Sequence, residues 1–140
     1  MSAPQPVLPR DVVWKAQPAL PPGGEVAVLL GEPASAGPFV IRIRTPPSMR
    51  VMPHVHPENR VYTVLEGVFF LGFGETFEPR ELKELPAGSV VGIPALRPHF
   101  QYSDRTGYTV QIEGLGPTAT TYVTLSDDPR RASSRAAPPN

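Results

Sequence analysis

The chain has 140 residues, of which 40% are hydrophobic and 19% charged, a composition typical of a globular protein with one core. Its 13 basic and 13 acidic residues cancel, so no basic field is present to attract nucleic acid. The lack of cysteine excludes disulfides, thiolate nucleophiles and cysteine-ligated zinc, and no apolar run is long enough for a membrane span. We therefore expect one soluble domain without a nucleic-acid or membrane partner.

The N-terminal residues 1–22 are predicted to form a proline-rich arm. Six of the 20 prolines of the chain lie here, around the apolar residues Val12, Val13 and Trp14. We expect this arm to lie on the surface of the domain, with Trp14 as its anchor. The first ten residues lack the basic and apolar regions of a secretion signal, which favours a cytoplasmic location.

Residues 23–128 show short apolar and β-branched runs separated by glycine and proline, a pattern that favours strands and disfavours helices. The Glu66–Gly67 dipeptide predicts a tight hairpin, and Pro79–Leu85 predicts one helical turn that Pro86 ends. About nine strands without helices indicate an all-β barrel or sandwich. The predicted strands are Glu25–Leu30, Phe39–Arg44, Arg50–His54, Arg60–Leu65, Val68–Phe73, Ser89–Ile93, Pro98–Tyr102, Tyr108–Glu113 and Thr118–Leu125.

The C-terminal residues 129–140 are predicted to be a disordered tail. They contain Arg130, Arg131 and Arg135 among alanine, serine and proline, with no apolar residue larger than alanine. Such a segment cannot bury enough surface to offset the entropy of ordering it. Three arginines are also too few for a nucleic-acid-binding tail.

The three histidines of the chain are candidates for a metal site. His54 and His56 are two residues apart in a predicted strand, so their side chains point to the same face. His99 lies on a later strand and can complete a three-nitrogen face if the strands roll into a barrel. Taken alone, the His54–His56 pair is a weak signal, and two surface or core histidines are the commoner explanation of it.

The spacing of these histidines resembles the two motifs of the cupin superfamily, G-x5-H-x-H-x(3,4)-E-x6-G and G-x5-P-x-G-x2-H-x3-N. The motif positions are occupied here by Ser48, His54, His56, Arg60 and Gly67, and by Gly88, Pro94, Leu96, His99 and Ser103. All three histidines fall on motif histidines. The resemblance implies a small single-domain cupin, an antiparallel β-barrel of the jelly-roll or double-stranded β-helix type, with the barrel at residues 23–128. It also implies a homodimer.

Arg60 stands where the cupin motif usually has a metal-binding glutamate. An arginine is permanently charged and cannot ligate a metal, so we expect one of three outcomes: Arg60 turns away, it clamps an anion beside the metal, or the metal binds weakly. Glu58 can pair with Arg60 or, with a remodelled turn, replace the missing ligand. Tyr62 and Gln101 share strand faces with Arg60 and His99 and are candidate hydrogen-bonding residues of the same pocket.

These residues predict a divalent metal ion held by His54, His56 and His99, with Fe²⁺ favoured and Ni²⁺, Zn²⁺ or Mn²⁺ as alternatives. The expected function is that of a metal-dependent enzyme acting on a small anionic organic molecule, with catalytic roles for Arg60, Tyr62 and Gln101. It would be an oxygenase, or an isomerase or lyase that stabilises an enolate. Two alternatives are a non-catalytic ligand-binding or sensing module and a metal-free isomerase with His54 or His99 as the general base.

Overall fold

A computed structural model describes residues 5–131 of the chain. This range forms nine strands and three single-turn 3-10 helices, and every strand pair is antiparallel, which confirms the predicted all-β fold. No described helix has the length and apolar character to cross a membrane. The strands are β1 Lys15–Ala16, β2 Glu25–Leu30, β3 Gly37–Thr45, β4 Arg50–Val55, β5 Arg60–Phe73, β6 Lys83–Pro86, β7 Val90–Ile93, β8 His99–Gly116 and β9 Thr121–Tyr122.

The two long strands β5 and β8 pair with each other and organise the jelly roll. Each changes its second partner midway: β5 pairs first with β7 and then with β6, while β8 pairs with β4 and then with β3. The changes fall at irregularities in the β5–β8 ladder around Gly67. The sheet can therefore curl around a central cavity.

The predicted hairpin at Glu66–Gly67 is wrong, because the strands predicted on either side of it are one continuous strand. Gly67 has φ +72° and sits in the irregular part of the ladder, so the glycine marks a bulge in β5 and not a chain reversal. Gly107, with φ +70°, likewise lies within a continuous strand. That strand, β8, joins the two strands that were predicted separately as Pro98–Tyr102 and Tyr108–Glu113. Isolated glycines in strand sequences can mark either feature.

The segment Pro79–Leu85 is only partly the helical turn that was predicted. A single 3-10 turn spans Pro79–Glu81, and the chain then enters the edge strand β6, which ends at Pro86. Strand pairing of β6 with β5 outweighs the weak local preference for a turn. At the other end of the sheet, the predicted strand Thr118–Leu125 is reduced to the two residues of β9 and is followed by a 3-10 turn at Leu125–Asp127.

The N-terminal segment lies against the sheet through β1, which pairs with β2. Trp14 is half-buried, with the guanidinium carbon of Arg44 4.2 Å from its ring centroid. Further along, Ala19 is buried and its carbonyl accepts a 2.5 Å hydrogen bond from the hydroxyl of Tyr122. Of the predicted disordered tail, residues 129–131 form a helical turn in which Arg130 bonds to Asp128 and to the Thr120 carbonyl, so the prediction is wrong for these three residues. Residues 132–140 lie outside the described part of the chain.

The bulge at Gly67 gives a first prediction, that Gly67→Ala lowers the free energy of unfolding by at least about 2 kcal/mol. A Cβ atom at this position would lie 2.2 Å from the backbone oxygen of Gly107, in a backbone conformation that L-residues avoid. Urea denaturation measures the change. Gly92→Ala is the control, because a Cβ there meets nothing closer than 4.0 Å. Equal stability of the two variants would contradict the assignment of Gly67 to a bulge.

Candidate metal centre

The three histidines meet inside the curled sheet. His54 lies near the end of β4 and is directly paired with His99, the first residue of β8. His56 follows β4 by one residue and points to the same face as His54, as the i, i+2 spacing predicts. One ring nitrogen from each histidine lies within 4.8 Å of the other two, and all three side chains are buried. The structure thus brings together the residues that were predicted as ligands.

Pro53 helps to place His54. It occupies β4 immediately before the histidine, at a point where the β4–β8 ladder shifts its register between Val51 and His54. A proline has no N–H to donate to a ladder, so within a strand it is confined to edges and irregularities. The Pro53 carbonyl still accepts a 3.0 Å bond from the N–H of Val123, which fixes the outer side of the strand.

Each histidine ring is oriented by a hydrogen bond from Nδ1 to a backbone carbonyl. The partners are the carbonyls of Met52 for His54 at 2.7 Å, Ala119 for His56 at 2.9 Å and Arg97 for His99 at 3.0 Å. A carbonyl only accepts, so each Nδ1 carries the proton and each Nε2 keeps a free lone pair. Outer hydrogen bonds of this kind hold metal-binding histidines in the required tautomer.

The three rings are held in their neutral form. Desolvation by burial is the largest cause in each case, and it lowers the pKa of His99 to about 4. The pKa of His54 and that of His56 are also lowered far below the usual value, with further lowering by the neighbouring rings and by the Arg60 guanidinium. Neutral imidazoles are the form that binds a metal ion.

This donor set fits a divalent transition-metal ion. The Nε2 atom of His99 is buried and has no hydrogen-bond partner among the described residues, a costly arrangement for a polar atom unless something else satisfies it. Imidazole nitrogens suit iron, nickel, zinc and copper, so the three rings alone do not select one metal. Glu58 is not part of this group of donor atoms, and it forms an ion pair with Arg60 instead.

Arg60 lies beside the histidines but is already paired. Its Nε donates to Glu58 Oε2 at 2.8 Å, Nη1 to the Tyr62 hydroxyl at 3.2 Å and Nη2 to Thr118 Oγ1 at 2.8 Å. Arg60 and Glu58 side chains are only 7% and 8% exposed. The carboxylate offsets the positive charge that would otherwise repel a metal ion from this end of the cavity. The anion-clamp role of Arg60 stays a prediction and would use its remaining N–H groups.

The cavity at the histidines has a volume of about 50 Å³ and is lined by both polar and aliphatic residues. His54, His56, Arg60, Tyr62 and Gln101 are among its polar lining, which places all the predicted catalytic residues around one space. The aliphatic part of the lining consists of Ile41, Ile43, Val110, Ile112 and Leu20.

Sequence reasoning missed two segments that complete the site. Gln17, Ala19 and Leu20 of the N-terminal arm line the cavity, and Thr120 joins them from the segment between β8 and β9. Neither segment carries a motif that would have revealed it. Both reach the cavity through contacts between residues far apart in the sequence, such as the bond from Tyr122 to Ala19.

The lowered pKa values predict that the metal-free protein loses stability as the pH falls from 6.5 towards 4. In this window the unfolded chain binds protons on histidines, while His99, with a folded pKa of about 4, does not. Each such histidine lowers the free energy of unfolding by about 1 kcal/mol for each pH unit below 6.5. Its full contribution to stability is present above pH 6.5. Urea denaturation in the presence of a chelator measures the slope. His99→Ala should make the dependence of the free energy of unfolding on pH less steep, because one of the contributing histidines is removed. An unchanged slope would contradict a neutral buried His99.

No family model and no curated protein matches the sequence of the chain. Solved structures do match. The polyketide cyclase RemF from Streptomyces resistomycificus superposes with a TM-score of 0.72 at 20% identity, covering 93% of this chain and 92% of the other. An RmlC-like cupin from Shewanella frigidimarina gives a TM-score of 0.61 at 17% identity, covering 77% of this chain and 86% of the other.

The KdgF structure from Halomonas sp. gives a TM-score of 0.62 at 14% identity, covering 80% of this chain and 94% of the other. These identities are too low to transfer an activity, but the similarity extends over most of each chain. It agrees with the antiparallel jelly roll seen in this chain. The chain is therefore a small domain with the cupin fold.

Proposed function

We propose that the protein is a metal-dependent enzyme that acts on a small anionic organic molecule by stabilising an enolate. The observation that carries this proposal is the convergence of three buried, neutral histidines whose Nδ1 atoms are all committed to backbone carbonyls. A divalent ion bound by His54, His56 and His99 would supply Lewis-acid chemistry. Three neutral ligands leave its charge uncompensated, which favours a negatively charged ligand such as a carboxylate or an enolate.

The other polar residues of the cavity support stabilisation of negative charge. The Tyr62 hydroxyl accepts a hydrogen bond from Arg60 and keeps its own O–H for a ligand oxygen. Gln101 is buried and faces the same cavity, where its amide N–H groups can act in the same way. Donors fixed in a dry site stabilise developing negative charge without having to reorganise.

The aliphatic residues of the cavity favour an apolar group next to the anionic head of the substrate. Ile41, Ile43, Val110 and Ile112 offer no hydrogen bonds, and the volume of about 50 Å³ limits this group to a small hydrocarbon portion. RemF is a polyketide cyclase, and DddQ from Ruegeria pomeroyi is a DMSP lyase. Their similarity in fold supports a lyase, cyclase or isomerase, whereas a third similar structure is that of an oxalate oxidase.

Proton exchange in D₂O tests the proposal without knowledge of the natural substrate. Small β-keto acids and β-diketones are incubated with protein loaded with Fe²⁺ or Zn²⁺, and deuterium incorporation next to the carbonyl is followed by NMR. We expect incorporation that requires metal and is lost in His99→Ala. Oxygen consumption would indicate the oxygenase instead, and exchange that survives chelation would indicate the metal-free isomerase. Metal and ligand binding without any exchange would indicate the sensing module.

Within this proposal, Tyr62→Phe is predicted to slow the exchange about 100-fold while leaving metal affinity within about twofold. The change removes one donor to the negative charge but no metal ligand. The matched control is Tyr108→Phe, which alters a buried tyrosine whose hydroxyl has no hydrogen-bond partner among the described residues. Exchange rates and metal affinities of both variants are compared with the parent protein. Equal rates for the two variants would exclude Tyr62 from the reaction.

A further inference from the structure

One of the three histidines takes its orienting hydrogen bond from a distant part of the chain. His54 and His99 each bond to the carbonyl two residues before them, at Met52 and Arg97. These bonds are local and follow from the strands themselves. His56 instead bonds to the carbonyl of Ala119, 63 residues further along. The orientation of the His56 ring therefore depends on the position of another segment.

We call that segment, Thr118, Ala119 and Thr120, the strap. The Ala119 side chain is exposed and contributes no packing that would fix the strap. Anchors lie on either side of it. At one end the Thr118 hydroxyl accepts from Arg60 Nη2 at 2.8 Å and the Thr118 N–H donates to the Pro33 carbonyl at 2.7 Å.

At the other end, the Thr120 carbonyl accepts from Arg130 Nη2 at 2.8 Å. The Thr120 hydroxyl also lies 3.5 Å from His56 Nδ1. The strap is followed directly by β9, which pairs with β4 at His54 and Val55. The Thr120 carbonyl is therefore the group through which the Arg130 side chain can hold the strap in place beside His56.

The Arg130 guanidinium is held rigidly for this contact. Its Nε and Nη2 donate to the two carboxylate oxygens of Asp128 at 2.9 and 3.0 Å, and its backbone N–H donates to the same carboxylate. A bidentate pair fixes the plane of a guanidinium, which a single-point contact would not do. Arg130 is 42% exposed and Asp128 14% exposed, so the pair contributes little stability by itself.

We propose that Arg130 is a positioning residue for the metal ligand His56, acting through the Thr120 carbonyl and the strap. The inference rests on the proposed function, because positioning has a purpose only if His56 binds a metal ion. It assigns a role in the metal centre to a residue of the segment that follows the last strand. Arg130 itself is not one of the candidate ligand residues, and its hydrogen bonds among the described residues go to Asp128 and Thr120.

The direction of the change in metal affinity on removing Arg130 distinguishes a positioning role from a simple electrostatic one. Removing a positive charge from the neighbourhood of a dication should tighten metal binding. Releasing the strap should weaken it, because the His56 ring loses a fixed orientation and its proton is no longer confined to Nδ1. Weakening in an arginine-to-alanine variant therefore cannot come from the lost charge.

The test compares Arg130→Ala with Arg80→Ala, which also removes an exposed arginine paired with an acidic residue two positions earlier. Co²⁺ affinity is measured by competition with a chelator. Exchange of the three histidine Nδ1 protons is measured by ¹⁵N NMR on the metal-free proteins. For Arg130→Ala we expect Co²⁺ binding about tenfold weaker and faster exchange at His56 alone. Unchanged or tighter binding, or exchange accelerated equally at all three rings, would overturn the proposal.

A second variant, Arg130→Lys, keeps the positive charge. A lysine cannot form the two-point hydrogen bond to the Asp128 carboxylate and at the same time bond to the Thr120 carbonyl. Arg130→Lys should weaken Co²⁺ binding as Arg130→Ala does. A Co²⁺ affinity equal to that of the parent protein would overturn the role of the two-point pair with Asp128. If the parent protein itself fails to bind Co²⁺, the proposed function fails. The NMR comparison on the metal-free proteins then decides alone whether Arg130 fixes His56.

Discussion

His99→Ala is expected to weaken the binding of Co²⁺ or Zn²⁺ at least about 100-fold, the largest effect that we predict for a single substitution. His99 is fully buried, and its Nε2 has no partner among the described residues, so the metal ion is its expected partner. Removing one of three ligands leaves only two nitrogens to hold the ion. Isothermal titration of the metal-free protein measures the change.

Loss of metal binding must be separated from loss of the fold. We expect His99→Ala to destabilise the metal-free protein by about 1–3 kcal/mol, since it loses the bond to Arg97 and leaves a small cavity. Circular dichroism should still show the β-sheet. Tyr108→Phe, a buried substitution at a residue that is not a candidate ligand, should bind metal like the parent protein. Retained metal binding in a folded His99→Ala variant would show that His99 is not a ligand.

Arg60→Met is expected to lower the free energy of unfolding by about 3–5 kcal/mol, because it leaves the Glu58 carboxylate buried without its counter-ion. One oxygen of Glu58 already lacks a hydrogen-bond partner among the described residues, and the other depends on Arg60 Nε. The double variant with Glu58→Gln removes both charges and should recover most of the loss. Urea denaturation of the two single variants and the double variant gives the coupling energy.

The Glu78–Arg80 pair provides a matched control for that cycle. It has the same two-residue spacing, but its arginine is 90% exposed and the N–O distance is 3.5 Å. The same substitutions there should change stability by less than about 1 kcal/mol. Coupling energies of equal size in the two cycles would contradict a buried, structurally important Glu58–Arg60 pair.

The cluster of three histidines was the part of the structure most accessible from the sequence. The i, i+2 spacing of His54 and His56 fixes their common face in a strand, and the cupin resemblance identifies His99 as the third member. The pairing of Glu58 with Arg60 was also foreseen as one of two outcomes, because two residues in one turn can meet without help from the rest of the chain.

The rest of the site could not be predicted, because it depends on contacts between distant segments. The carbonyl of Ala119 and the part of the cavity lining supplied by Ala19 and Leu20 carry no sequence pattern of their own, since almost any residue supplies a carbonyl or an apolar contact. The bulge at Gly67 was misinterpreted for a related reason. A glycine with positive φ serves hairpins and bulges alike, and the pairing of β5 with β8 decides between them.

The most direct test of the three-histidine centre is the metal content of protein prepared without an affinity tag. Elemental analysis is carried out after incubation with Fe²⁺, Ni²⁺, Zn²⁺ or Mn²⁺ and removal of free ions. We predict about one equivalent of a divalent ion in the parent protein and less than about a tenth in His99→Ala. A parent protein that retains less than about a tenth of an equivalent of every metal would contradict the assignment of His54, His56 and His99 as a metal centre.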